Sequence, residues 1–489
     1  MGLPKTHSCL HFALQQEDLK QQCAPESQVE RTTALHLPCG EPLRLPRRDS
    51  TPSDLNKYLL EHPKLARRAR DFLQVDQQAS LLSTSRFHTK RRLSIKEITE
   101  SSTCLNVLQG EVAHVVDGKQ ETDVLLSGEA TTCHVVAVRS TSTTASNVPP
   151  LTSLAHVDEC NPKCLEKILL EHLDHHREES ATLIPLNRMG SSAVLSSSYE
   201  DNGFGFFDVS EGGEDDYDEN ERLDRFIPTL AGSSPSELPR FPGFLDSATL
   251  SPRSPKRRFI NDKIQIELHM AGGFDDSDGT SHQLSKELLE VWASLGEKYS
   301  SEVSIHLCTA AISGLNTDTD GPKARGLGID TRTGEVFMVP CELPKHLDGP
   351  AVEIRNARSW ARGMNCSSSD GGNNASDESS SKPELSVLHT RQNRPGEILI
   401  EPFEYHPQPQ LNPLLNVPDQ VLKQVVSTSP EHESERFCSD LRRTLSFINT
   451  VPSKSIFGGT DNPKPLVFRR RSASVGSSSV HEWEQHRSC

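Results

Sequence analysis

The chain has 489 residues, 34% of them hydrophobic and 5% aromatic, with frequent Ser and Pro; its length suits two or three average domains, but the apolar content suits a smaller folded part. A net charge of −16 argues against a broad nucleic-acid surface, and no run of about 18 apolar residues offers a membrane span. Met1 to Lys20 lacks the apolar core of a secretion signal, and twelve cysteines without paired spacing fit a reducing compartment, cytoplasmic or also nuclear.

Residues 1–35 read as a flexible extension, in which Met1-Gly2-Leu3-Pro4-Lys5-Thr6 matches the minimal myristoylation pattern and Cys9 offers a second acylation position. Leu55, Leu59, Leu60 and Leu65 predict one helix over 52–72, with Ser53-Asp54 able to cap it. Alternation predicts strand from Val107 to Val116, a turn at Asp117-Gly118 and strand again from Val124 to Leu126. Val135-Val136-Ala137-Val138 reads as a further strand, and Leu154-Ala155-His156-Val157-Asp158 follows a Ser/Thr-rich loop over 140–150. A helix over Lys163–His176 has Leu165, Ile168, Leu169 and Leu173 on one face, and its His172, His175 and His176 read as a solvated helix end.

Between Glu200 and Glu221 stand ten acidic residues and no Lys or Arg, within a Ser, Gly and Pro-rich tract, 178–262, that reads as a disordered insertion. Order returns with Ile264, Ile266, Leu268 and Met270, a strand closed by Gly272-Gly273. Ser281 can cap a helix bearing Leu284, Leu288, Trp292 and Leu295, and strand Val303–Thr309 completes an α/β unit. A hairpin turns at Thr333-Gly334, Val352–Arg362 reads as helix, 365–382 as a low-complexity insert, Glu397–Ile400 as strand and Glu433–Ile448 as helix. The fold class is therefore α+β: one layered domain, 36–177 and 263–489, with long disordered insertions.

The chemistry centres on Cys133, in Ser127-Gly128-Glu129-Ala130-Thr131-Thr132-Cys133-His134, between two strand-like runs. A lone cysteine is most often buried and inert, but a thiol at a strand edge becomes a nucleophile when a base removes its proton and a third group orients that base. His156 can reach it across two adjacent strands, and Ser127 can accept the other imidazole N–H. The same segment offers a competing zinc reading, His156, Cys160 and Cys164, but Pro162 interrupts a helix that would align them and no CxxC pair is present.

Asp54-Leu55 through Glu61-His62-Pro63 to Arg70, Ala130-Thr131-Thr132-Cys133-His134, Leu268-His269-Met270-Ala271-Gly272-Gly273-Phe274 and Ser427-Thr428-Ser429-Pro430 together resemble the eukaryotic protein N-terminal asparagine amidohydrolase family. So do Leu284–Leu289, Ile305-His306-Leu307 and Arg442–Ile448, in the same order, over about 36–175 and 263–487. The resemblance implies hydrolysis of the side-chain amide of an N-terminal asparagine to aspartate and ammonia, feeding the N-degron degradation route. It implies Cys133 as nucleophile through a thioester, and supports His156 as base and Ser127 as the polar third group. It also implies a sandwich similar to the cysteine-dependent protein deamidases. Two departures stand out: a loop lengthened at 140–150, and Gly128-Glu129 where the family commonly has Asp-Asp.

A free α-ammonium on the substrate calls for a carboxylate, and Glu129 and Asp158 flank the chemistry. The expected partners are peptides or proteins beginning with Asn; no metal or cofactor is expected, and the chain is expected to be a monomer. From a different class comes a noncatalytic interaction protein regulated by phosphorylation at Arg91-Arg92-Leu93-Ser94, Arg442-Arg443-Thr444 or Arg469-Arg470-Arg471-Ser472-Ala473-Ser474.

Overall fold

The computed structural model describes residues 31–74, 103–119, 122–143, 147–182, 263–274, 276, 278–318, 321–322, 324–339, 343–367, 384–389, 396–458, 462–470 and 483–486. The acylation pattern, the acidic block and the Ser94, Ser472 and Ser474 sequences lie outside the described residues. So do residues 183–262 of the expected insertion and most of the 365–382 insert.

Strand β1 (Arg31–His36) pairs with β2 (Pro42–Leu45). It begins inside the stretch read as a flexible extension, because Leu35 enters the core. The predicted helix over 52–72 is two, α1 (Pro52–Glu61) and α2 (Pro63–Gln74). Pro63 has no N–H to give and drives His62 into extended backbone, which ends α1. The cap is Thr51 rather than Ser53: its hydroxyl accepts the Asp54 N–H at 3.1 Å while Asp54 accepts the Thr51 N–H at 2.9 Å.

The next strands are β3 (Cys104–Asn106), β4 (Glu111–Val116), β5 (Val124–Ser127), β6 (His134–Ser142) and β7 (Leu151–Val157), before helix α3 (Pro162–Thr182). The strand expected over 107–116 is thus interrupted at 107–110 by a turn. Then come β8 (Ile264–Gly272), helix α4 (Thr280–Lys298), β9 (Val303–Ile312), the two-residue strands β10 (Thr317–Asp318) and β11 (Gly321–Pro322), and the hairpin β12 (Gly326–Asp330) and β13 (Val336–Val339). Asp276, not Ser281, caps α4, accepting the N–H groups of Thr280 and Ser281. Helix α5 (Val352–Ser367), β14 (Ser386–His389), β15 (Glu397–Ile400), helices α6 (Asp419–Val426), α7 (Phe437–Thr450) and α8 (Ser453–Ile456), and strands β16 (Leu466–Arg470) and β17 (Trp483–His486) follow.

Eight strands form one mixed sheet in the order β14-β4-β7-β6-β8-β9-β1-β2. Strands β4, β6 and β7 are buried along nearly their whole length because both of their faces are covered. Helices α3 and α4 lie on one face, and the four-stranded sheet β13-β12-β5-β3 packs on the other against β6, β7 and β8. The result is an α+β fold of three layers, helix, large sheet, small sheet, with Leu154, Leu268, Trp292 and Leu327 in one continuous core.

Candidate active site

Strands β6 and β7 pair antiparallel with Val135 opposite His156. Cys133 stands in the turn just ahead of β6, two residues before Val135, and side chains two apart share a face. Strand alternation carried back from Val135 puts Cys133 on the His156 side of the sheet, the face turned toward the small sheet.

From that small sheet, β5 brings Ser127, whose Oγ lies 2.8 Å from His156 Nδ1 and 2.6 Å from the carbonyl oxygen of Val107. A hydroxyl has one proton, and the carbonyl can only accept it. Ser127 therefore donates to Val107 and accepts from His156 Nδ1–H, a tautomer assigned from the network. The Nε2 lone pair is left buried and, among the described residues, without a hydrogen-bond partner. Burial lowers the imidazole to about 4, against the carboxylates of Asp158 and Glu111, so the ring is neutral at physiological pH.

Burial also raises the Cys133 thiol, and the carboxylates of Asp158 and Glu433 raise it further, against a hydrogen bond with Thr132. The resting pair is a thiol and a neutral imidazole. The adjacent His134 belongs to other work: its Nε2 lies 2.7 Å from Ser285 Oγ on α4, which is 2.6 Å from Ser313 Oγ.

Glu129 and Asp158 stand on the rim, both exposed. Asp158 accepts from Gln109 Nε2 at 3.0 Å. Glu129 has φ of 56°, a left-handed backbone that costs a non-glycine residue about 1–3 kcal/mol and clusters at functional sites. Its residue reaches solvent, yet protein packed around the carboxyl raises it to about 7, with Asp440 acting the same way and Arg436 and a Ser434 hydrogen bond opposing.

A wall that sequence reasoning assigned no role comes from 427–434, between α6 and α7. Thr428 Oγ1 lies 3.2 Å from Thr132 Oγ1, Ser434 donates to Glu129, and the ring of His432 meets Phe274 edge-on at 4.6 Å. Glu433 sits among them, accepting from Ser427, its carboxyl raised by burial. The available signal was Ser427-Thr428-Ser429-Pro430, which marked the segment without marking Glu433.

The histidines of α3 are not a solvated helix end: His172, His175 and His176 are all buried. The polar sequence hid this because His172 and His176 are met by serines on β6 and β7, and His175 by the Pro149 carbonyl at 2.8 Å. His172 bonds Ser153 at 2.8 Å and Ser140 at 2.7 Å, and His176 bonds Ser140 at 2.9 Å. Cys160 and Cys164 are buried as well, and His156 is turned to Ser127. Among the described residues, no group of three or more His, Cys, Asp or Glu is placed to hold a metal. Nor is Thr444 presented on the surface; it is buried on α7 and donates to the Asp440 carbonyl.

The sequence profile of the protein N-terminal asparagine amidohydrolase family matches residues 94–190 and 256–477, more than half of the chain and all of the elements that build this site. The chain belongs to the protein N-terminal asparagine amidohydrolase family. Curated proteins of that name are 26% identical to it in human and in pig, and 25% in mouse, over 212 residues. That stretch is 42% of this chain and 57% of each relative, so the chain spans little more than half the length of the amidohydrolases it matches. No helix among the described residues is long and apolar enough to cross a membrane.

Proposed function

We propose that the protein hydrolyses the side-chain carboxamide of an N-terminal asparagine to aspartate and ammonia, with Cys133 as nucleophile and His156 as base. The observation that carries this reading is the bond from His156 Nδ1–H to Ser127, which leaves the Nε2 lone pair bare on the face His156 shares with Cys133. As Sγ attacks the amide carbon, its proton passes to Nε2. The C–N bond then breaks and His156 returns that proton to the leaving nitrogen as ammonia departs, leaving a thioester. Water adds with its proton going to His156, the C–S bond breaks, and the thiol is regenerated.

The carboxylates account for the terminal specificity. Burial holds the free thiol protonated and Asp158 and Glu433 add to it, so an α-ammonium bound among these carboxylates and Glu129 offsets their part of the penalty and favours the thiolate when substrate arrives. Glutamine, one methylene longer, sets its carboxamide away from the thiol. Substrates in this reading are peptides or proteins beginning with Asn, and the N-terminal aspartate produced feeds the N-degron route in the cytoplasm.

Mass spectrometry of peptides beginning with Asn, Gln or acetylated Asn tests it. Wild-type protein is expected to add about 1 Da, the exchange of amide nitrogen for oxygen, to the Asn peptide alone, and Cys133→Ala to add nothing. Near-normal conversion by Cys133→Ala, or equal conversion of the acetylated peptide, sinks the mechanism.

A further inference from the structure

The turn Val107–Gly110 touches the candidate site at three points. The Val107 carbonyl takes the Ser127 hydroxyl, the Gly110 N–H donates to the His156 carbonyl at 2.9 Å, and Gln109 holds Asp158. Val107 N–H donates to the Leu126 carbonyl on β5 at 2.8 Å, and the side-chain grip on the turn comes from α5. Arg355, 1% exposed, donates from Nη2 to the carbonyl of Asn106 at 2.6 Å and from Nε to Glu111 Oε1 at 3.0 Å, while Nη1 reaches the Asp348 carbonyl at 2.8 Å. Its guanidinium thus grips the residue before the turn and the residue after it. Glu111 carries the grip inward, its Oε2 accepting the Leu108 N–H at 2.9 Å. Arg358 also bonds Glu111, at 2.8 Å, and Arg362 donates to the Gly110 carbonyl.

Three arginines converge on one short turn, although a buried ion pair seldom adds stability over well-packed apolar side chains. Their geometry, a fork bridging two backbone positions, is what an apolar replacement cannot reproduce. We propose that Arg355 is a positioning residue for the reaction: by tying Asn106 to Glu111 it fixes the Val107 carbonyl, hence the Ser127 acceptor, hence the Nδ1–H tautomer of His156. This rests on the reading of His156 as base.

The test uses the full chain carrying Arg355→Lys, which keeps the charge and loses the fork, beside Arg358→Lys, whose contact stops at Glu111. Steady-state rates on an Asn-initiated peptide are measured together with nitrogen-15 NMR of the His156 ring. Arg355→Lys is expected to lower kcat about 10–100-fold with KM little changed, and to turn a single Nδ1–H tautomer into a mixture. Arg358→Lys is expected to keep the single tautomer and lose less activity. A folded Arg355→Lys protein with wild-type kcat and one Nδ1–H tautomer overturns the proposal. Should Arg355→Lys not fold, Glu111→Gln, which keeps the shape and removes the charge that Arg355 grips, takes its place, and an unmixed tautomer there overturns the proposal equally. Wild-type protein that leaves the peptide intact would refute the proposed function, while the NMR measurement would still decide the role of Arg355.

Discussion

At the scale of single residues, the site holds a protonated thiol and a neutral imidazole, so in the proposed mechanism activation waits for the substrate. Glu433 is where that coupling can be split, because it does two opposed things. Its charge adds to burial in raising the thiol of the free protein, yet in the proposed mechanism it attracts the α-ammonium of the bound substrate. Glu433→Gln should therefore make Cys133 alkylate several-fold faster with iodoacetamide, while kcat/KM on an Asn-initiated peptide falls about 10-fold or more. Rates that move in the same direction would show that Glu433 acts on the thiol alone or not at all. That Cys133 and His156 come from adjoining segments was legible in the sequence, because the runs 135–138 and 154–158 read as strands that could pair; Ser127 reaches His156 from β5 in the other sheet, a packing of layers that strand alternation does not encode. Glu433 was not legible, since only the tertiary path from α6 to α7 carries it back over a turn some 300 residues earlier.

At the scale of elements, most strands and helices followed from periodicity, and the errors came from contacts that periodicity does not encode. The helix over 52–72 is broken by Pro63, a residue visible in the sequence but outweighed by the leucine pattern. The α3 histidines looked solvent-facing because serines and the Pro149 carbonyl, rather than carboxylates, meet them. Gly272 is a further case: as part of a glycine pair it read simply as the end of β8. In the fold it has φ of 105°, and a Cβ there would lie 2.7 Å from the Cys133 carbonyl oxygen and 2.8 Å from Ala130 Cβ. Gly118, with φ of 70°, has nothing within 4 Å of that position. Gly118→Ala should then cost only the backbone term, about 1 kcal/mol, and Gly272→Ala about 2–4 kcal/mol together with most of the activity. Urea denaturation of the two variants decides it; equal losses would mean that Gly272 is kept for its backbone angle and not for the closeness of the nucleophile turn.

At the scale of the whole molecule, the layered core encloses an unusual number of imidazoles. Burial lowers His156, His176 and His389 to about 4 and His134 and His269 to about 3, and lowers His172 as well. In the unfolded chain each titrates near 6.5. Between roughly pH 6.5 and pH 4 the unfolded state therefore binds protons that the folded state refuses, and stability falls as the pH falls through that window. Glu129 and Glu433, with carboxyls raised by burial, act with the opposite sign but are fewer. Each buried histidine can contribute up to about 2 kcal/mol of lost stability at pH 5, so the sum rivals the whole stability of an ordinary domain. The melting temperature should drop steeply between pH 7 and pH 5, well before the carboxylates of ordinary surface ion pairs titrate. Thermal melts at half-unit pH intervals check this, and His172→Gln, which removes one of the most buried rings, should flatten the slope wherever the variant folds. A melting temperature unchanged from pH 7 to pH 5 would mean that the imidazoles take up protons within the fold, and that the His172, Ser140 and Ser153 network is open to water rather than sealed beneath α3.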